Sequence, residues 1–230
     1  MRNRLFLPSG ILGLGALVMT LVLALIGPRE VGPMSPGFIT PVMAFEFARS
    51  EAEVVRLFEP EGSAAAMDRV NRWDFLYMAL YSLFLATFAL AAALDSDQYT
   101  PWFAAALALL ILLADVMENV QLLRLTSQSA FGGAGMADAL GRLHLFTWLK
   151  WGGLALYFLL LAGYFREQPG RWRFVWLLTD VPVLLAFWAF LRPGLASELM
   201  ALSIGLLFLL LTLYALWRGL TQGLEARGAY

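Results

Sequence analysis

The sequence predicts an all-α fold: a polytopic membrane helix bundle of about six transmembrane helices with one short external amphipathic helix. Three observations carry this reading. The 230 residues are 60% hydrophobic and 14% charged, with a mean hydropathy of +0.72, a composition that soluble domains rarely have. Six apolar runs approach or exceed the ~18 residues needed to cross ~30 Å of hydrocarbon at ~1.5 Å per residue. The one sizeable segment outside those runs carries a helix-capping pattern of its own.

The first run, residues 5–27, follows "MRNR". It is longer than the ~7–15 apolar residues of a signal peptide and shows no A-x-A cleavage pattern, so it is read as a retained helix. Residues 28–71 form an external loop that opens with "GPREVGPMSPGFITP", whose Gly and Pro content predicts irregular chain. Within it, Ser50 and Glu53 of "SEAE" make a capping box, and Val54, Val55, Leu57 and Phe58 give the next turns an apolar side. An amphipathic helix over 51–59 is therefore expected on the membrane surface or across the mouth of the bundle, as a structural lid or a substrate gate.

The remaining spans are expected at 73–94, 102–123, 143–165, 174–191 and 195–217, with Asp180 and Pro182 interrupting the fifth. "DSDQYT" joins the second to the third, and the glycine-rich "TSQSAFGGAGMADALG" joins the third to the fourth. The latter lacks the pattern of a phosphate-binding loop. No internal repeat is visible, so residues 1–230 are read as a single integral membrane domain.

Orientation rests on arginine, of which there are fifteen against a single lysine. Arg2, Arg4, Arg166, Arg171, Arg173, Arg218 and Arg227 share one side of a six-helix topology, which predicts both termini in the cytoplasm.

Several functions are excluded or lack their residues. The absence of cysteine removes thiolate metal sites and disulfide chemistry, and one histidine cannot build a multi-histidine metal centre. No serine sits in G-x-S-x-G. A net charge of −1 argues against a nucleic-acid partner. No cofactor motif occurs.

One stretch does not fit a lipid-facing helix: "LADVMENVQLL", Leu113 to Leu123. On a helix Asp115, Glu118 and Asn119 share a face. A carboxylate at membrane depth costs at least ~2.5–3.5 kcal/mol, so these side chains are expected to point inward, toward partners. Glu118 lies ~9 Å from the outer end of its helix by residue count, and Lys150 of the next, antiparallel helix lies ~12 Å from the same end. His144 and Thr147 lead toward Lys150 at successive i+3 steps. Asp74 heads a stripe with Tyr77 and Tyr81, and Glu198 adds a polar group to the outer half of the sixth helix.

Lys150, the only lysine, is informative. An ammonium is compact and can shed its proton when buried, whereas a guanidinium is broad and always charged. One Lys beside several acids leaves an anionic site able to hold a cation, a ligand amine or a shared proton. The candidate ligand-binding set is thus Asp74, Tyr77, Asp115, Glu118, Asn119, His144 and Lys150, with no dedicated metal site. The plain alternative is a hydrogen-bonded network that only ties helices together.

The order "FEFARSEAEVVRLFEPEG", "DFLYMALYSLFLA", "LADVMENVQLL", "FTWLKWGGLAL" resembles an uncharacterised family of bacterial polytopic integral membrane proteins with Asp-x-x-Glu-Asn and Lys-Trp membrane helices. The resemblance spans roughly residues 43 to 160. It implies a shared bundle in a bacterial inner membrane, with Asp74, Asp115, Glu118, Asn119 and Lys150 on motif positions, and it brings no activity with it. The functional expectation is a non-enzymatic protein that binds a small cation, an amine ligand or a lipid headgroup in the outer half of the bundle. Its expected partners are the lipid bilayer, that ligand and other membrane subunits. The alternatives are an accessory subunit of a larger membrane complex and an intramembrane lipid-modifying enzyme.

Overall fold

The computed structural model describes residues 5–131 and 135–227. Arg2, Arg4 and residues 132–134 of the glycine-rich loop lie outside the described residues, as does the side chain of Arg227. The architecture is all-helical, with six helices long and apolar enough to cross a membrane. They are α1 (Phe6–Ile26), α4 (Ser63–Asp95), α5 (Thr100–Phe131), α6 (Met136–Arg166), a broken segment from Gly170 to Leu191, and α9 (Leu195–Arg227). Between α1 and α4 lie two short helices, α2 (Pro41–Glu46) and α3 (Glu51–Leu57).

The broken segment runs as a 3₁₀ turn (Gly170–Val175), α7 (Trp176–Thr179) and α8 (Val181–Leu191). Pro182 sits in the first turn of α8, where its missing N–H costs no hydrogen bond, and Asp180 keeps helical dihedrals. The interruption read from Asp180 and Pro182 is therefore a joint in the helix rather than an end to the span.

The helices pack in a ring: α1 on α4, α4 on α5, α5 on α6, α6 on α8, α8 on α9, and α9 back on α1. Glycine makes the last closure tight. A Cβ on Gly219 would lie 2.7 Å from the Leu7 backbone nitrogen, and one on Gly10 would lie 2.9 Å from that of Leu216. The α5–α6 pair is tightened in the same way at Gly153, whose Cβ would meet Ile111 at 2.8 Å, while Gly152 faces open space. Inside the ring Phe84, Phe88, Phe158 and Phe208 form an apolar layer. It separates two polar regions, one on the side of residues 27–62, here the loop side, and one on the opposite side.

Two expected boundaries move. α4 starts at Ser63, ten residues before the apolar run, because "SAAAMDRVNR" is made largely of good helix formers and buries Met67 and Val70 under the loop-side helices. The glycine-rich connection shrinks, since α5 continues to Phe131 and α6 begins at Met136.

α3 starts as its sequence implies. Ser50 Oγ accepts from the Glu53 N–H at 3.3 Å, and the Glu53 carboxylate accepts from the Arg49 N–H at 2.6 Å. Val54 and Leu57 are buried in a loop-side cluster with Phe45, Met67, Leu122 and Leu143. α2 has no cap of its own. Its N-terminus is capped from α9: Glu198 accepts from the N–H groups of Ile39 and Thr40, both at 2.8 Å, and from the Thr40 hydroxyl at 3.1 Å. The preceding loop meets the α8–α9 turn glycine to glycine. A Cβ on Gly194, which has φ +118°, would lie 2.8 Å from the Pro36 carbonyl. These contacts swing α2 inward, so that Met43 to Glu46 are all buried.

Candidate functional site

Lys150 stands at the centre of the loop-side polar region, 6% exposed. Its ammonium contacts Glu46 Oε1 at 3.0 Å, Asp115 Oδ1 at 3.5 Å, and Glu118 Oε2. All three carboxylates are buried, Glu118 almost completely. Each also accepts from a second donor. Trp151 Nε1 donates to Glu46 Oε2 at 2.8 Å, Tyr81 donates to Asp115 Oδ2, and Thr147 donates to Glu118 Oε1 at 2.6 Å. The Glu46 carbonyl, 3.2 Å away, is the alternative acceptor for the Thr147 hydroxyl. The ammonium also lies 5.0 Å from the centre of the Trp151 ring, a cation–π contact.

Four elements meet at this point. α5 supplies Asp115 and Glu118 at i and i+3, and α6 supplies Thr147, Lys150 and Trp151. Tyr81 comes from α4, and Glu46 from the last position of α2. The matching depth of Glu118 and Lys150, counted from the ends of two antiparallel helices, is thus realised as direct contact.

The other expected residues are placed as follows. Asp74, half-buried on α4, interacts electrostatically with Asp115, Lys150 and Glu46 but forms no ion pair with Lys150. Tyr77 packs its ring 5.1 Å from that of Tyr81, with its hydroxyl beside Thr20 of α1. Asn119 turns toward α4, donating from Nδ2 to the Asn71 carbonyl at 2.5 Å.

His144 is separated from the cluster. Two i+3 steps leave a helix about 120° off its starting face, so the path from His144 through Thr147 to Lys150 winds away from it. His144 is exposed, lies edge-on to Trp148 at 6.4 Å, and lines an open cleft of about 630 Å3 between α3, α6 and α8. Glu198 is likewise outside the cluster, engaged in capping α2.

No family model, curated protein or solved structure matches this chain. What it does must therefore be argued from the side chains themselves.

Sequence reasoning missed Glu46. It lies in "PVMAFEFA", where an acid between two phenylalanines was the available signal. A second polar network also went unread. On the side opposite the loops, Arg218 of α9 reaches Asp95 of α4 at 3.2 Å, and Tyr164 donates to the same carboxylate at 3.0 Å. The Tyr164 and Tyr214 hydroxyls are 2.7 Å apart, and Tyr214 donates to Gln168 at 2.9 Å. This network balances one acid with one base and ties α4, α6 and α9 together.

The loop-side cluster is not balanced. Glu46, Asp115 and Glu118 face one ammonium, with Asp74 beside them, which leaves excess negative charge where the surroundings are apolar. Such an excess is relieved by protons shared among the carboxyls or by a further cation. Among the described residues no three acids or histidines are arranged as metal ligands. The ammonium of Lys150 already occupies the middle.

Proposed function

We propose that this multi-pass membrane protein is non-enzymatic and that its Glu46–Asp115–Glu118–Lys150 site binds a small cation, the proton before any other. The observation that carries the reading is the ratio of three buried carboxylates, with Asp74 adjacent, to one ammonium. Lys150 already seats an amine in the cluster, so an external amine has to displace it. A proton needs only a free carboxylate lone pair.

In the same proposal the protein lies in a bacterial inner membrane with both termini cytoplasmic and the loop side outward. The resemblance of its Asp-x-x-Glu-Asn and Lys-Trp helices to an uncharacterised bacterial membrane family supports this part of the reading. A second reading, an accessory subunit in which the network only joins helices, is favoured by the second hydrogen-bond donor that each carboxylate has.

The test is infrared difference spectroscopy on the full chain in lipid nanodiscs. A protonated-carboxyl band at neutral pH, removed by Glu118→Gln, is the expected result. The absence of any such band would leave the accessory-subunit reading standing alone.

A further inference from the structure

The loop-side cluster continues toward the surface along the packed faces of α4 and α5. On α4, Asp68, Asn71 and Asp74 stand at successive i+3 steps, each rising about 4.5 Å and turning about 60° around the helix, so each neighbours the next while the line winds around α4. On α5, Thr126, Asn119 and Glu118 descend beside them. The pairs are joined: Thr126 Oγ1 donates to Asp68 Oδ1 at 2.5 Å, and Asn119 Nδ2 donates to the Asn71 carbonyl at 2.5 Å. At the outer end Asp68 lines a surface cleft of about 390 Å3 together with Arg69, Arg72 and Trp73.

The middle of this seam has unmet hydrogen-bonding capacity. Asn71 Nδ2, a donor, and Asn119 Oδ1, an acceptor, are buried without a hydrogen-bond partner, on residues 3% and 1% exposed. Buried amide atoms of this kind are ordinarily satisfied by water, and these two belong to residues joined by the Asn119–Asn71 hydrogen bond, one turn from Asp74. On the far side of the cluster the apolar Phe84–Phe88–Phe158–Phe208 layer offers no such groups.

We infer that the α4–α5 seam is the proton entry path to the cluster, with water held by the Asn71 and Asn119 amides as its relay. This rests on the proton-binding reading given above. Asp68 and Asp74 stand about 9 Å apart along the axis, so more than one water is needed: the Asp68 carboxyl gives its proton to the first, each water passes one proton to the next, and the last gives one to the Asp74 carboxylate. One O–H bond breaks and one forms at each step, and the amides are unchanged. From Asp74 the proton reaches the group formed by Asp115 and Glu118 of α5, Glu46 of α2, Tyr77 and Tyr81 of α4, and Lys150 of α6. The seam opens on the loop side at Asp68, so the site is loaded from there.

The experiment follows hydrogen–deuterium exchange of the protonated-carboxyl band after mixing the full chain in nanodiscs with D2O. Asn71→Leu is expected to keep the band and slow its exchange roughly tenfold or more, the effect of removing one hydrogen-bonded step from a barrier. Asn71→Ser, which keeps a polar group and room for water, is expected to exchange at nearly the wild-type rate. Should Asn71→Leu fail to fold, Asp68→Asn at the mouth is expected to slow exchange in the same way. An intact band exchanging at the wild-type rate in Asn71→Leu, or in Asp68→Asn where that variant stands in for it, overturns the path and leaves the site. A missing band in the wild-type protein overturns the proton site itself.

Discussion

Lys150 Nζ and Glu46 Oε1 stand 3.0 Å apart, joining the interior of a 31-residue membrane helix to the last residue of a six-residue loop-side helix. The loop-side helix α2 and the charged centre are therefore one structure, and changes to either are expected to register in the other.

Lys150→Met removes the only base from the cluster. Breaking one side of a buried ion pair typically costs about 3–5 kcal/mol, so a large drop in melting temperature in detergent is expected. Adding Glu46→Gln, Asp115→Asn and Glu118→Gln to it, so that no carboxylate in contact with the lysine keeps its charge, should recover much of the loss. Lys150→Arg should fold with its charge kept and its contacts displaced. An unchanged melt for Lys150→Met would mean that the ammonium reaches water.

Glu46→Gln should behave in the opposite way to an ordinary salt-bridge deletion. It lowers the excess of acid while its amide oxygen can still accept from Trp151, so a stability change within about 1 kcal/mol is expected. Glu46→Leu leaves the Trp151 N–H unmatched and should cost about 1–3 kcal/mol. Chemical denaturation of the two variants side by side is the measurement, and equal losses would count against the charge argument.

Glu198→Ala removes the cap that α9 lends to α2. A lost N-cap costs about 0.5–2 kcal/mol, felt locally, so faster amide hydrogen exchange is expected in peptides covering residues 38–48 and not in α4 or α5. Uniform acceleration across the bundle would instead make Glu198 a global element.

Gly219→Val places a branched side chain 2.7 Å from the Leu7 backbone nitrogen, a clash that no rotamer change relieves. Overpacking of this kind costs about 1–3 kcal/mol, read as a lower melting temperature in detergent. The same substitution at Gly205, where a Cβ meets nothing within 4 Å, is the control.

Topology is open to direct labelling because the chain has no cysteine of its own. Glu51→Cys, on exposed α3, should react with an impermeant maleimide in intact cells if the loop side faces outward. Reaction only after lysis would invert the orientation.

Asp115, Glu118 and Lys150 were legible in the sequence because helix geometry is regular: residue spacing gives face, residue count gives depth, and antiparallel neighbours share a scale. Glu46 was not, because its position depends on a contact 158 residues away, Glu198 with Thr40, that local spacing does not encode. His144 shows the limit of i+3 reasoning, which holds for one step and drifts off the face over two. The start of α4 was hidden for a different reason. Hydropathy finds the part of a helix that lipid touches, whereas residues 63–72 are helical beneath protein.

The ring of helices also orders the events of synthesis. Asp115 and Glu118 of α5 and Lys150 of α6 lie on neighbouring helices, so they can meet while the segments that follow α6 are still being made. α9 follows them, and with it come the contact that seals the ring against α1 and the carboxylate that secures α2 and with it Glu46. A nascent chain stalled before residue 195 would hold the Asp115–Glu118–Lys150 core without a secured Glu46, with α1 and α8 each presenting a bare flank to lipid or to a helper protein. The addition of α9 is thus the step at which a loose assembly becomes a closed one.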